Sequence, residues 1–398
     1  MGEVDCRDGD VESGASTPDK VVPGSQGGGA AGDAAVDAGA GCAGLQDPLE
    51  QQQHRHHHHY WQHAIFEDRE IPDSLRRGFQ FHGIMQRGSG RKLPLVLSAV
   101  RGVDELRRTF HWLARRHRKA VGQPHECPAP PPPVRWLAGL DPRPNVRKLS
   151  WWVALAFTLG SVLFVISGAA GVVTAVGNPA EKPPGLASLT AALIGWPNLI
   201  AANLCFFPGG IMQLIETTHM DYGRQLRAWR KGGRMGPRPP RRLFQPIQSD
   251  LRTVSFWAVV IQITGMLGFN MATIFTVVST AVALPTTIER WTIYFGFTYG
   301  GAAFTASALL FCHEATGSWW RGLLPSRLSD LRSISWQSAF WNLQGSIGFL
   351  IGGAGEYASN FSWTQLQWIY GYGNLAGAVW FLLSSLLLFV EQANPNHP

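Results

Sequence analysis

Six long blocks without a single charged residue constrain this chain more than any other feature. They cover residues 149–180, 183–215, 253–288, 291–313, 333–355 and 357–390. A helix of about 20 apolar residues crosses the hydrocarbon core of a bilayer. The blocks therefore predict an all-α polytopic membrane protein. Its six transmembrane helices are expected near 151–173, 190–216, 254–279, 291–313, 336–355 and 369–390.

The remaining residues divide the chain into further regions. Residues 1–63 are acidic and then His-rich, and they are too poor in apolar side chains to offset chain entropy, which predicts a disordered tail. Residues 64–150 form a basic region, 151–391 the membrane domain and 392–398 a short carboxyl-terminal tail. The His tract lacks a fold that could hold ligands in place, so we expect no specific metal site there.

The basic region contains a pattern typical of an amphipathic helix over residues 94–119. Apolar residues recur at spacings of three and four, and the opposite face is rich in arginine. Such a helix could contact anionic lipid or pack on the protein's own surface. Nucleic acid is not expected as a partner, because no recognisable nucleic-acid-binding motif accompanies these basic residues.

Orientation in the membrane follows from the distribution of Lys and Arg. The approach to the first helix and the second and fourth loops carry 16 of them, against 2 in the other three loops. This asymmetry predicts that both termini are cytoplasmic. Asn360 begins a glycosylation sequon in the fifth loop, on the predicted non-cytoplasmic side.

The six helices repeat as three parallel hairpins. Each first helix begins with Ser followed by Trp or Phe, has Gly ten residues after that Ser, and has Phe four residues after the Gly. Each second helix has Phe ten residues before a terminal Glu. The recurring glycines, predicted to permit close packing, are Gly160, Gly265 and Gly345. The recurring acids are Glu216, Glu314 and Glu391.

The recurring acids lie at helix carboxyl ends, where the helix dipole disfavours a negative charge. We therefore expect each acid to have a basic partner, and a cytoplasmic ring of salt bridges is one interpretation. Basic residues close in sequence are Arg224 or Arg227 for Glu216 and Arg321 for Glu314. No basic residue follows Glu391, so its partner must come from another loop. The alternative is a solvated acid that only ends each span.

Few polar side chains lie inside the spans. Gln262, Asn342 and Gln344 could line a polar path, although hydrogen bonding between helices is the commoner role of such residues. No ionisable residue is expected at mid-membrane, which argues against a proton-coupled pump.

Several short sequence motifs resemble those of a known family. They are the run from Arg135 to Pro144 leading into Ser150-Trp151-Trp152, and the helix ends at residues 309–314 and 387–391. Together they resemble multi-pass integral membrane proteins with YrhK-like two-helix domains. The family has no established activity, ligand or catalytic residue, so the resemblance implies only a helical membrane protein.

No enzyme motif or cofactor site is evident, and the chain is not expected to be an enzyme. Two function classes remain. A membrane-organising or interaction protein is favoured because the spans lack ionisable residues. The alternative is a transporter or channel for a small solute or ion, which the polar residues in the spans permit.

Overall fold

A computed structural model describes residues 79–84, 96–103, 109–118, 134–176, 184–219, 253–317, 322–325, 328–355 and 362–394, with isolated positions 222, 226, 229–230, 237–239, 246, 251 and 357. All of these residues belong to one compact unit, residues 57–398. The predicted tail, residues 1–63, lies outside the described residues.

Three antiparallel strands precede the helices. They are β1 (Phe79–Ile84), β2 (Val96–Val103) and β3 (Thr109–Leu113), in the order β1-β2-β3. A short helix, α1 (Ala114–Arg118), follows β3 directly. Both β2 and α1 contact the long helices that are called α5 and α6 below.

The predicted amphipathic helix at 94–119 is therefore wrong for most of its length. The structure has a hairpin there, in which Val100 lies opposite Trp112, and only the last five residues of the described stretch are helical. The segment is rich in β-branched and aromatic residues, which favour strands. Its pairing with β1 is non-local, so the helical spacing of its apolar residues could not reveal it.

From residue 134 onward every described element is helical. The short helices are α2 (Pro142–Asn145) and α7 (Leu328–Arg332). The long helices are α3 (Leu149–Ala175), α4 (Pro184–Ile200, Ala201–Phe206 and Phe207–Thr218), α5 (Val254–Ala281), α6 (Thr286–Glu289, Arg290–Tyr294 and Phe295–Thr316), α8 (Ile334–Gly355) and α9 (Trp363–Ala393).

Five of these helices are long and apolar enough to cross a membrane, among the residues that the structure describes: Leu149–Ala175, Ser188–Thr218, Val254–Ala281, Thr286–Thr316 and Thr364–Ala393. Each coincides with a predicted span. The remaining prediction, 336–355, falls on α8, which carries Gln337, Asn342 and Gln344 and is not among these five.

Helix α4 passes two prolines without breaking. Pro197 lies inside its first part and Pro208 at the start of its last part, with a π-helical stretch, Ala201–Phe206, between them. Because a proline donates no backbone hydrogen bond and crowds the preceding turn, a local widening of the helix accommodates it.

The long helices pack in a closed ring. Proceeding around it, α3 contacts α4, α4 contacts α5, α5 contacts α6, α6 contacts α8, α8 contacts α9, and α9 contacts α3 again. The core on the ring axis is mainly aromatic, and Phe164, Phe269 and Phe349 all belong to it.

The repeat also appears in the way the first helix of each pair begins. Two residues after the recurring Ser, a side chain donates a hydrogen bond to the carbonyl six residues earlier. The bonds are Trp152 to Val146 at 2.8 Å, Trp257 to Leu251 at 2.9 Å and Gln337 to Leu331 at 2.5 Å. A shared local geometry thus supports the recurring sequence pattern.

Candidate functional site

The three recurring acids meet at one end of the ring. Glu216, Glu314 and Glu391 lie two residues before the ends of α4, α6 and α9, and their exposed fractions are only 9%, 0% and 9%. A buried carboxylate is costly unless it is paired and hydrogen-bonded. The interpretation that these are solvated acids is therefore wrong.

Each acid accepts a hydrogen bond from the recurring Ser of its own helix pair. Ser150 donates to Glu216, Ser255 to Glu314 at 2.5 Å, and Ser335 to Glu391 at 2.6 Å. The serine begins the first helix of each pair and the acid ends the second. The bond therefore joins the two ends of each pair at the same place in all three repeats.

Two arginines from α1 complete the cluster. Arg115 makes a two-point contact with Glu391, from Nε to Oε1 at 2.7 Å and from Nη2 to Oε2 at 2.9 Å. Arg118 contacts both carboxylate oxygens of Glu314, at 3.1 and 3.2 Å, and uses Nη1 to reach Glu216 at 3.1 Å. We call these two arginines and three glutamates the ion-pair cluster.

The ion-pair cluster keeps its arginines charged although both are only 4% exposed. Burial alone would lower the pKa of Arg118, but the Glu314 and Glu216 carboxylates outweigh it and raise that pKa above its ordinary value. The pKa of Arg115 is raised in the same way, chiefly by Glu391 against the effect of burial. The Arg118 guanidinium also lies over the Phe311 ring, 5.6 Å from its centre.

The sequence did not identify these partners. The sequence places Arg115 and Arg118 on a basic face that either contacts lipid or packs on the protein's own surface, and their burial against the ends of the long helices agrees with the second alternative. The partners proposed from sequence, Arg224, Arg227 and Arg321, lie outside the described residues. The available clue was the spacing of three between the two arginines, which places them on one side of a short helix.

A cavity of about 50 Å³ lies on the inner side of the ion-pair cluster. Arg115 and Arg118 line one part of it, and Phe206, Phe304 and Phe381 also contribute to its walls. One water needs about 10–15 Å³, so the cavity has room for roughly four waters.

Of the predicted polar path, only part reaches this cavity. Gln262 and Asn342 line it, joined by Gln213 of α4, while Gln344 is not among the lining residues. Gln262 and Asn342 each stand seven residues after the recurring Ser, where the first repeat has Phe157. The Oε1 atoms of Gln213 and Gln262 have no hydrogen-bond partner among the described residues.

Beyond the cavity, six phenylalanines occupy the ring axis. Phe164, Phe269 and Phe349 contact one another, with ring centres 5.2, 5.6 and 6.5 Å apart. Each also contacts the recurring Phe of its own helix pair, with ring centres 5.1–5.3 Å apart; those partners are Phe206, Phe304 and Phe381. We call these six residues the phenylalanine plug.

The recurring glycines make room for the phenylalanine plug. A methyl group on Gly160 would lie 2.5 Å from Phe206, and one on Gly345 would lie 2.6 Å from Phe381. On Gly265 it would lie 3.0 Å from the carbonyl oxygen of Gly300 and 3.1 Å from Phe304. Close packing at these three positions is what the sequence predicted.

Other predicted features cannot be placed. The sequon at Asn360 and the His tract at 54–59 lie outside the described residues. Within the described residues, no group of three or more His, Cys, Asp or Glu side chains is arranged to hold a metal ion.

Comparison of the chain with known protein families, with curated proteins and with solved structures finds no match. The resemblance to YrhK-like membrane proteins therefore stays a prediction from sequence.

Proposed function

We propose that this chain is a non-conducting, membrane-organising or interaction protein. Its bundle of three parallel hairpins would anchor a folded N-terminal region at the cytoplasmic surface. The observation that carries this proposal is the phenylalanine plug, which fills the ring axis where a conducting pathway would run.

A total of six membrane-spanning helices, rather than five, agrees best with the contacts made in the ion-pair cluster. The start of α8, at Ser335, and the end of α9, at Glu391, both belong to the same hydrogen-bonded group. The chain must therefore leave this end along α8 and return along α9. The polar residues of α8, Gln337, Asn342 and Gln344, are each partly buried, so the bundle would shield them in part from lipid.

The anchoring role rests on where α1 is held. Arg115 and Arg118 reach the carboxyl ends of α4, α6 and α9, so all three hairpins contribute to holding the segment that follows β3. The excess of Lys and Arg in the loops of this end favours a cytoplasmic location. Basic residues of 94–119 other than these two stay available in this proposal for anionic lipid.

A flux measurement tests the proposal. Purified protein in liposomes should pass ions and small solutes no faster than protein-free liposomes. Phe349→Ala, which enlarges the axis, is compared with Phe295→Ala, at a position 41% exposed. Flux through the unmodified protein that Phe349→Ala increases and Phe295→Ala leaves unchanged would contradict the proposal.

Transport of a small solute is the second candidate, and the cavity beneath the ion-pair cluster is the observation that favours it. In that case the structure shows a closed state, with the phenylalanine plug as the barrier. The same experiment separates the two functions, because only a transporter gives saturable flux of a particular solute.

A further inference from the structure

The cavity beneath the ion-pair cluster has polar walls that the repeat does not require. At the position of Gln262 the first repeat has Phe157, and at the position of Gln213 the other two repeats have Phe311 and Leu388. Apolar side chains therefore suffice for packing at these positions. The two glutamines lie on neighbouring helices, α4 and α5, and together they make one side of the cavity polar.

The amides of these two glutamines are buried without full hydrogen bonding. Gln213 is 7% exposed and Gln262 is 8% exposed, and the Oε1 atom of each has no hydrogen-bond partner among the described residues. Leaving a buried acceptor unsatisfied is unfavourable. A rotation about the last side-chain torsion, which has a broad energy profile, lets each amide present its oxygen or its NH₂ group to the cavity.

The serines that line the cavity offer acceptors rather than donors. Each hydroxyl already donates its hydrogen to a backbone carbonyl, with oxygen–oxygen distances of 2.7–3.4 Å. These residues are Ser161, Ser307, Ser338, Ser346, Ser384 and Ser385. Their oxygens retain a free lone pair, so a ligand that donates hydrogen bonds suits these walls.

The charges that line the cavity do not call for an ion. Arg115 and Arg118 are the charged residues among its lining, and both are already paired with glutamates. An added ion would be buried without a counter-charge of its own, which is costly. A neutral molecule avoids that cost.

We propose that the cavity is a binding site for a small uncharged solute that carries both hydrogen-bond donors and acceptors. The volume of about 50 Å³ limits this solute to a few non-hydrogen atoms. Its donors would bond to the glutamine and serine oxygens, and its acceptor to a glutamine NH₂ group. The site does not depend on whether the protein conducts, because it lies on the near side of the phenylalanine plug.

The test uses the full chain in detergent micelles and formamide as the probe. Formamide is neutral, has three non-hydrogen atoms and carries both donors and an acceptor. Saturation-transfer NMR detects weak binding, and N,N-dimethylformamide, which has no N–H donor, is the matched probe. We expect a saturable signal from formamide that is at least about tenfold weaker for dimethylformamide, as for the loss of one hydrogen bond.

The variants Gln213→Leu and Gln262→Leu remove the amides, and Gln344→Leu is the control outside the cavity. Each glutamine variant should weaken the formamide signal about tenfold, and Gln344→Leu should leave it unchanged. Thermal unfolding without probe identifies any variant that fails to fold, and Asn342→Leu then serves as a replacement. Equal signals from all variants, an equal signal from dimethylformamide, or no saturable signal because the cavity holds water alone would each overturn the proposal.

Discussion

Arg118 is the single residue on which the ion-pair cluster depends most. It contacts two glutamates that belong to different helices, α4 and α6, and its side chain is almost wholly buried. Buried ion pairs add little stability compared with apolar packing, but losing one partner leaves an uncompensated charge. The cluster thus makes correct docking of α1 a condition for stable association of the helix ends.

Arg118→Met should lower the free energy of unfolding by about 3–5 kcal/mol, because Glu314 would stay buried without its cation. Arg147→Met is the control, since Arg147 is exposed. Thermal unfolding in detergent measures both. Equal midpoints for the two variants would contradict the role of Arg118.

Arg115 and Glu391 allow a charge-exchange test. Arg115→Glu and Glu391→Arg should each destabilise the protein, because each places like charges together in a buried site. Combining them should recover a large part of the loss, measured as a coupling energy in a double-mutant cycle. Additive losses would mean that the two side chains do not interact.

The raised pKa values of Arg115 and Arg118 predict how the stability that they contribute depends on pH. Their pKa values are raised in the folded state, so the stability they contribute is fully present below the ordinary arginine pKa and is lost only above it. Their contribution should therefore not vary between about pH 6 and 10. In Arg118→Met the Glu314 carboxylate is left buried without its cation and favours its protonated form, so the unfolding midpoint of this variant should approach that of the wild type as the pH falls.

At the scale of elements, the long helices could be predicted from the sequence, and the β-hairpin formed by β2 and β3 could not. The absence of charge over a whole span is a local property, so α3, α4, α5, α6 and α9 could be located from sequence alone. The recurring Ser, Gly, Phe and Glu also predicted which positions matter for packing. The contact between Arg115 and Glu391 joins residues 276 positions apart, and no local pattern encodes it.

The prediction of a helix over residues 94–119 failed for a similar reason. Helical spacing and strand pairing compete for the same apolar residues, and a partner strand outside the window decides between them. Strand β2 pairs with β1 along one edge and with β3 along the other, and both pairings are antiparallel. The backbone hydrogen-bonding groups of β2 are therefore satisfied on both edges.

Cysteine cross-linking tests the hairpin in a background without native cysteines. Val100→Cys with Trp112→Cys places two thiols directly opposite each other, so a disulfide should form. Ala99→Cys with Val103→Cys is the matched control, because four residues along a strand separate the thiols by about 13 Å. The reverse outcome, with only the control pair cross-linked, would indicate a helix.

Glycine packing gives a test of the phenylalanine plug. Gly345→Ala should destabilise the protein by about 1–3 kcal/mol, since the added methyl group overlaps the Phe381 ring. Gly195→Ala should be tolerated, because its nearest neighbour would lie at an ordinary contact distance of 3.5 Å. Equal unfolding midpoints would show that the contact at Gly345 is not tight.

Within the described residues, the long helices form a closed ring, and α1 is held at the same end of this ring as the last turn of α9. The segment after β3 and the last turn of α9 meet in the ion-pair cluster, so both lie at one end of the ring. An odd number of spans would put them on opposite faces of a membrane.

The sidedness of the two termini tests this account most directly. Tags at both ends, and a single cysteine introduced by Ser362→Cys between α8 and α9 in a background without native cysteines, are probed with an impermeant reagent in sealed, oriented vesicles. The account predicts that both tags react from the same side and Cys at position 362 from the other. Tags that react from opposite sides would contradict the six-helix ring in the membrane.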